Sequence, residues 1–254
     1  MTLPLLRDWL AEAPFTLALS AGFFGFFAHA GALSALEEAK LVPARVTGSS
    51  AGALISGLWA GGVDSRAIEA ELLRLKREDF WDPAPGPGLL RGRKFHDRVE
   101  SMLRVRSFAQ ARVPVSLSVW DVFAASTVVR SEGALAPAIC ASCAFPGMFQ
   151  PVWMNGRPYL DGGIADRPGH ASLAHAERTL FHHLPSKSPW RRQAPAAPSR
   201  SNMTTVAVDD LPRLGPFRLK RGGAAFAQAR KAMQTALDLP REAVISLSAD
   251  HAAR

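Results

Sequence analysis

The chain has 254 residues, of which 48% are hydrophobic and 20% are charged. This composition excludes a disordered polyelectrolyte and is sufficient to bury a substantial core. The formal net charge is +8, which would suit an anionic partner. However, the sequence has no continuous Lys/Arg run, no zinc-finger spacing and no RNA-binding signature, so we expect no nucleic-acid partner.

The N-terminal residues lack the basic, apolar and small-residue regions of a signal peptide. The longest apolar run, over residues 21–36, is interrupted by glycines and polar residues and is too short to span a bilayer. We therefore expect a cytoplasmic protein. Its basic surface would favour peripheral contact with anionic membranes if its substrate is a lipid.

Two strand–turn–helix units open the pattern of predicted elements. Residues 16–20 form a short apolar run typical of a buried parallel strand, and a helical pattern follows over 28–40. A second strand over 44–47 leads through a turn at 48–52 into a helix over 51–60. Two such units in succession predict an α/β fold with a mostly parallel central sheet and helices on both faces.

The remaining elements are predicted from weaker patterns. They comprise helices over 65–78, 94–104, 137–144 and 223–237, strands over 113–119, 125–130, 151–154, 157–160 and 203–208, and a Pro- and Gly-rich loop over 82–92. Asn155-Gly156 is a strong hairpin signal between two of these strands. The Pro-, Ser-, Ala- and Arg-rich composition of residues 186–201 predicts a mobile loop. We expect the whole chain, 1–254, to form one domain.

The turn Gly48-Ser49-Ser50-Ala51-Gly52 matches the G-x-S-x-G nucleophile elbow. A serine hydroxyl is a weak nucleophile unless it is exposed, oriented and assisted by a base, and a sharp strand-to-helix turn provides the exposure and the orientation. Of the two adjacent serines, only Ser50 has glycine at both flanking positions of the motif. The motif by itself also fits an ordinary turn, but the strand before it and the helix after it favour Ser50 as a nucleophile.

The glycine-bearing segment after the first strand is the candidate oxyanion hole. An oxyanion requires preorganised N–H donors, and the backbone of Gly22 and Phe23 lies where a strand-to-helix loop would present them beside the elbow. The four phenylalanines at 23, 24, 26 and 27 are most simply core residues. The alternative is that one or two of them line an acyl pocket.

The base has two classes of candidate. Seven histidines are present, His29, His96, His170, His175, His182, His183 and His251, and none stands in a setting that identifies it as a triad member. The other candidate is Asp161, which ends a predicted strand and precedes Gly162-Gly163. A carboxylate within hydrogen-bond reach of a serine can accept its proton, although Asp-Gly-Gly alone also fits a surface turn.

Taken together, three segments resemble the patatin-like phospholipase family. They are Leu17-Ala18-Leu19-Ser20 with the following loop and Ala28–Leu33, the turn Gly48–Gly52, and the stretch from Ala141 through Pro146-Gly147 to Asp161-Gly162-Gly163. The match covers roughly residues 15–167. Each motif is modest alone, and their order and spacing make the combination specific.

The resemblance implies a three-layer α/β sandwich in which Ser50 is the nucleophile and Asp161 the base of a Ser–Asp dyad, with no catalytic histidine. It implies hydrolysis of lipid acyl esters through an acyl-enzyme, without a metal or cofactor. One departure is the oxyanion loop, which in the family is a run of glycines followed by a basic residue and another glycine. Here only Gly22 clearly matches, and the basic residue is missing. The alternatives for the bulky Phe23 are that it narrows the oxyanion hole, changes the acyl preference or marks a weak enzyme.

Two alternatives remain open from the sequence. One is a histidine-dependent α/β-hydrolase esterase, which shares the elbow; the early position of the elbow and the lack of a convincing Asp-then-His order count against it. The other is a catalytically impaired member that binds lipid or a protein partner, suggested by the altered glycine loop. The sequence does not define the oligomeric state.

Overall fold

A computed structural model of the chain describes residues 3–185 and 198–248. Most of the segment predicted as a mobile loop, residues 186–197, lies outside this range. The helices are α1 (Leu6–Glu12), α2 (Phe26–Glu38), α3 (Ala51–Ala60), α4 (Ser65–Arg74), α5 (Arg93–Met102), α6 (Leu135–Ser142) and α7 (Gly222–Leu237). The strands are β1 (Thr16–Leu19), β2 (Arg45–Ser49), β3 (Gly88–Leu90), β4 (Val115–Asp121), β5 (Ser126–Arg130), β6 (Gly147–Phe149), β7 (Val152–Met154), β8 (Arg157–Asp161), β9 (Thr179–His183), β10 (Met203–Asp209) and β11 (Val244–Ser248).

Nine of these strands form one mixed sheet, with the order β11-β10-β9-β1-β2-β4-β8-β7 and β5 also paired to β4. The strands from β11 to β4 in this order pair in parallel, and β5, β7 and β8 form antiparallel pairs. The predicted mostly parallel sheet flanked by helices is confirmed. Because β1 and β2 are adjacent and parallel, the loops that follow them meet at the carboxyl ends of the strands.

The main core lies between the sheet and the helices. Leu17, Leu19 and Val46 point from the central strands into this layer, where they join Leu33 of α2 and Trp59 of α3. Because side chains alternate along a strand, Ala18 points to the opposite face. There it joins Phe181 and Met203 in a smaller cluster against Leu173.

The sequence predicted several element boundaries closely because their signals are local. Helix α3 begins and ends at the predicted residues, and α4 begins after Asp64, whose side chain accepts a hydrogen bond from the N–H of Ala67. Helix α4 is shorter than predicted, because Leu75 leaves the helical conformation at ψ 123° and a short 3₁₀ turn over Arg77–Asp79 follows.

Five elements were not predicted: α1, the paired strands β3 and β6, and the strands β9 and β11. The prediction of a loop throughout 82–92 was wrong for β3, which pairs with β6. At Gly88 a side chain would come within 2.4 Å of the Phe149 backbone, so the glycine that suggested a loop instead permits close pairing. Strand β9 was missed because its sequence, TLFHH, ends in two histidines.

Candidate active site

The turn between β2 and α3 has the geometry of a nucleophile elbow. Ser50 adopts φ 52° and ψ −118°, a left-handed conformation that L residues rarely occupy. A Cβ on Gly48 would come within 2.4 Å of the Gly52 backbone, and one on Gly52 within 2.1 Å of the Leu19 carbonyl oxygen. Backbone packing on both sides therefore holds the strained serine in place.

Asp161 lies within direct reach of this serine. Strand β8 runs antiparallel to β4 and ends at Asp161, and the Ser50 hydroxyl donates a hydrogen bond of 2.7 Å to Asp161 Oδ2. The other carboxylate oxygen accepts the Gly163 N–H at 2.7 Å. Gly162 allows the backbone after Asp161 to pack closely on β4, because a Cβ there would lie 2.1 Å from the Ser118 carbonyl oxygen.

The electrostatics of Asp161 suit proton transfer. Its side chain is buried, with the residue only 4% exposed, and this burial raises its pKa to about 6. The Ser50 hydroxyl, the Gly163 N–H and the positive charge of Arg167 oppose the rise. A carboxylate with a pKa near neutrality is a stronger base than an ordinary aspartate while it remains ionised at pH 7.

Ser142 supports the elbow and was not singled out as a site residue from the sequence. Its hydroxyl accepts the Ser50 N–H at 2.9 Å and donates to the Ser118 carbonyl oxygen at 2.6 Å, which links the elbow to β4. The adjacent Cys143 thiol donates to the Ser50 carbonyl oxygen at 3.2 Å. The sequence signal was only that these residues belong to a small-residue segment at the end of α6.

The neighbouring Ser49 has a different environment. It is fully buried in β2, and its hydroxyl has no hydrogen-bond partner among the described residues. A hydroxyl in that position is inaccessible to a substrate. The two serines thus differ in environment, since the Ser50 hydroxyl bonds to Asp161 beside the cavity.

The predicted oxyanion residues, Gly22 and Phe23, lie beside the elbow and share the wall of one cavity with Ser50 and Asp161. The loop is held by hydrogen bonds from the Ala21 N–H to the Arg167 carbonyl oxygen and from the Gly25 N–H to the Gly22 carbonyl oxygen. Within the described parts of the chain, the N–H groups of Gly22 and Phe23 donate to no acceptor. They are therefore available to a ligand.

The cavity at this site has a volume of about 890 Å³ and is lined mainly by apolar side chains. Its apolar wall includes Phe24, Leu54, Leu58, Phe80, Val99 and Met102. Such a volume and lining fit the hydrocarbon part of a ligand. Charged residues also line the cavity away from Ser50 and Asp161, among them Glu71, Arg98 and Arg213.

The phenylalanines after β1 do not all belong to the core. Phe27 is buried, but Phe23 is 54% exposed, so the core assignment was wrong for Phe23. Its ring lies against Phe24 and Phe145, at centroid distances of 5.0 and 5.6 Å. Phe23, Phe24 and Phe26 line the cavity, one more than the alternative interpretation expected, and its assignment of an acyl pocket stays a prediction.

In the described residues, no histidine lines this cavity or bonds to Ser50. His29 is buried in α2, where one ring nitrogen lies 2.7 Å from the Ser20 carbonyl oxygen and the other 2.8 Å from Nδ1 of His182. Burial lowers the pKa of His29 to about 3 and those of His170 and His183 to about 4. These rings are therefore neutral packing groups at pH 7.

The profile described as "Patatin-like phospholipase" matches residues 17–173. The chain belongs to the patatin-like phospholipase family. The matched region contains the elbow, Asp161 and the glycine-bearing loop, whereas β10, α7 and β11 lie beyond it. Within the described residues, no helix is long and apolar enough to cross a membrane.

Relatives of this patatin-like chain include NTE family proteins of Mycobacterium tuberculosis and Mycobacterium bovis, each 34% identical over 161 residues. These alignments cover 62% of this chain and 45% of the relative, so the chain matches less than half of each mycobacterial protein. A patatin-like phospholipase domain-containing protein of Caenorhabditis elegans, M110.7, is 30% identical over 152 residues, which are 55% of this chain and 14% of that protein.

Two solved structures share the fold of this patatin-like chain. VipD from Legionella pneumophila aligns with a TM-score of 0.57 at 14% identity, over 90% of this chain and 67% of VipD. The type III effector protein ExoU aligns with a TM-score of 0.53 at 16% identity, over 90% of this chain and 54% of ExoU. At these identities the similarity establishes the architecture alone.

Proposed function

We propose that this patatin-like chain, as a single domain, is a serine acyl hydrolase that cleaves lipid acyl esters with a Ser50–Asp161 dyad. The observation that carries the proposal is the 2.7 Å hydrogen bond from the Ser50 hydroxyl to the buried Asp161 carboxylate, at the wall of an apolar cavity. Family membership supports the same chemistry. The dyad requires no metal or cofactor.

In the proposed acylation step, Asp161 accepts the hydroxyl proton as Ser50 Oγ attacks the ester carbonyl carbon. The tetrahedral oxyanion would accept hydrogen bonds from the N–H groups of Gly22 and Phe23, and the N-terminus of α3 would add to its stabilisation. Collapse breaks the bond to the alcohol, which leaves with the proton from Asp161. The acyl group remains on Ser50, with its chain in the apolar cavity.

In the proposed deacylation step, Asp161 takes a proton from a water molecule as the water oxygen attacks the acyl-enzyme. The second tetrahedral oxyanion would occupy the same N–H donors. Its collapse releases the fatty acid and returns the proton to Ser50 Oγ. One carboxylate thus serves as base and then acid in each half-reaction.

The proposal is tested with a series of esters of increasing acyl length and with phospholipids. Ser50→Ala and Asp161→Asn should each lower kcat/KM by about 10³-fold or more, while the matched control Ser49→Ala should keep most of the activity. Ser50 should also react with a fluorophosphonate. Loss of activity in a folded single His→Ala variant would favour a histidine-dependent esterase. Wild-type protein that neither turns over any ester nor reacts with the probe would indicate a non-catalytic lipid-binding protein.

A further inference from the structure

A second surface, outside the proposed dyad, combines concentrated positive charge with an exposed aromatic ring. Arg74, Lys76 and Arg77 lie at the C-terminal end of α4 and in the turn after it, and Arg218, Lys220 and Arg221 precede α7. All six are exposed and line one surface depression. We call this group of six residues the basic face.

The basic face has little internal neutralisation. Two carboxylates, Glu78 and Asp79, share the lining with the six cationic side chains, and the remaining cation there, Arg98, pairs with Glu71. None of the six residues takes part in an ion pair within residues 3–185 and 198–248. Like charges gathered in this way repel one another, and an anionic partner would relieve the repulsion.

Phe217 lies among these cations and is 72% exposed. Its ring is held by Trp81, at a centroid distance of 5.7 Å, and by the guanidinium of Arg77, 5.1 Å above it. Leu73 on the same lining is 54% exposed. An exposed aromatic ring surrounded by Lys and Arg is typical of a surface that inserts at the headgroup level of an anionic bilayer.

The basic face also adjoins the cavity that contains Ser50. The two depressions share the side chains of Leu72 and Leu75. The segment after β10 lines the cavity over residues 209–214, passes Phe23 at Gly215 and reaches the basic face two residues later, at Phe217. A surface bound at Phe217 would therefore lie next to the cavity.

We propose that the basic face docks this protein onto anionic lipid bilayers, with Phe217 inserted among the headgroups. The choice of a lipid surface over another polyanion rests on the proposed function, because the face adjoins an apolar cavity at the dyad. The exposed Leu73 supports it as well, since an aliphatic side chain gains from a bilayer interface but cannot stack on a base. Docking would present acyl esters of the bilayer to Ser50 without crossing bulk water.

The test measures binding of the full chain to vesicles of phosphatidylcholine alone and of phosphatidylcholine mixed with phosphatidylglycerol. Wild-type protein should bind the anionic vesicles far more tightly, and salt should weaken this binding. The triple variant Arg218→Ala, Lys220→Ala, Arg221→Ala should lower the partition coefficient by about 10- to 100-fold, and Phe217→Ala by about 3- to 10-fold. The charge-matched control Arg66→Ala, Arg104→Ala, Arg106→Ala removes three exposed arginines outside the face and should bind as wild type does.

Hydrolysis of a short soluble ester separates docking from catalysis. All of these variants should hydrolyse it at the wild-type rate, which also verifies folding, and inactive Ser50→Ala should bind anionic vesicles normally. Vesicle binding without ester hydrolysis would overturn the proposed function and leave the docking proposal intact. Equal binding to neutral vesicles, an equal loss in the control variant, or preferential binding of a single-stranded RNA over the vesicles would overturn the docking proposal.

Discussion

The elbow and the glycine-bearing loop line the same cavity, but their glycines leave different room for a side chain. At Gly48 and Gly52 an added Cβ would meet backbone atoms at 2.4 and 2.1 Å, and backbone cannot yield without moving a strand. At Gly22 and Gly25 the nearest atom is the Leu184 Cδ1 methyl, at 3.0 and 2.5 Å, the end of a flexible side chain. Backbone thus leaves no room for a side chain at the glycines of the elbow, whereas a side chain on the glycines of the loop would meet first a methyl group that can move.

The difference indicates which parts of the site tolerate sequence change. A turn fixed by backbone packing must keep its glycines, and this turn matches the motif at every position. A loop whose glycines face a movable side chain can accept bulkier residues, and here it carries phenylalanines where the family has glycines. The loop therefore departs from the pattern, while the N–H groups of Gly22 and Phe23 have no acceptor among the described residues.

The largest expected effect comes from placing the same methyl group in each region. Gly52→Ala should destabilise the protein by about 4 kcal/mol or more, because the new Cβ would collide with the Leu19 carbonyl oxygen. The matched variant Gly22→Ala should lose less than about 1 kcal/mol of stability, because Leu184 can rotate away from the new methyl group. Urea unfolding of both variants measures this. Equal destabilisation would contradict the distinction between backbone and side-chain support.

The pH dependence of activity tests the proposed base of Ser50, Asp161, and not the glycine-bearing loop. The pKa of Asp161 is raised to about 6, and the base must be ionised to accept the Ser50 proton. We expect kcat/KM on a soluble ester to be constant above about pH 7 and to fall roughly tenfold per unit below about pH 6. Glu78→Gln, which removes a carboxylate outside the cavity, should leave the profile unchanged. A profile that falls only near pH 4 would contradict the raised pKa.

The raised pKa of Asp161 also predicts that stability falls over the pH range in which activity rises. The folded pKa lies above the ordinary value of 3.8, so between about pH 4 and pH 6 the folded state binds more protons and stability falls as pH rises. Asp161→Asn removes this cost. Its amide oxygen can still accept the Gly163 N–H, while its amide NH2 would donate to Ser50 Oγ, the reverse of the present direction. It should raise the free energy of unfolding at pH 7 by up to about 3 kcal/mol while abolishing activity, which thermal unfolding beside an activity assay would detect.

The parts of the site that were predicted from the residues alone are those whose constraints are local. The elbow occupies five consecutive residues between a strand and a helix, so its pattern is complete in the sequence. Asp161 lies 111 residues away from Ser50 along the chain, and only the resemblance raised it above an ordinary turn residue. Ser142 was missed because its partners, the Ser50 N–H and the Ser118 carbonyl, are backbone groups that leave no sequence signature.

Contacts between residues distant in sequence limited the prediction of the fold in the same way. Helix α3 was predicted to the residue from apolar content and a glycine stop, whereas β9 was missed although it pairs with both β1 and β10 at the centre of the sheet. Its His182 is tolerated there because the ring of His29 lies 2.8 Å away, a long-range pairing across the layer. Buried polar residues whose partners are distant in sequence cannot be recognised by local periodicity.

An intermediate effect is expected from Ser142→Ala. This change leaves the Ser50 N–H without its acceptor at the strained turn, which should cost about 1–3 kcal/mol of stability. We expect kcat to fall about tenfold with KM little changed, because substrate contacts are retained and only the nucleophile loses its position. Cys143→Ala, which removes a weaker thiol bond to the same residue, should have a smaller effect. A change confined to KM would show that Ser142 does not position Ser50.

The smallest effect is expected on the loop side, at Phe23. Because its ring is more than half exposed and lies against Phe145, Phe23→Ala should raise KM for long-chain esters by about 2- to 5-fold through lost apolar contact. Turnover of a short ester should change less than this, since the backbone N–H remains. A different result would be a strong rise in turnover of the short ester in Phe23→Gly and no change in Phe145→Ala. That result would mean that the Phe23 side chain obstructs the oxyanion site. The loop would then limit the chemistry itself rather than the binding of the acyl chain.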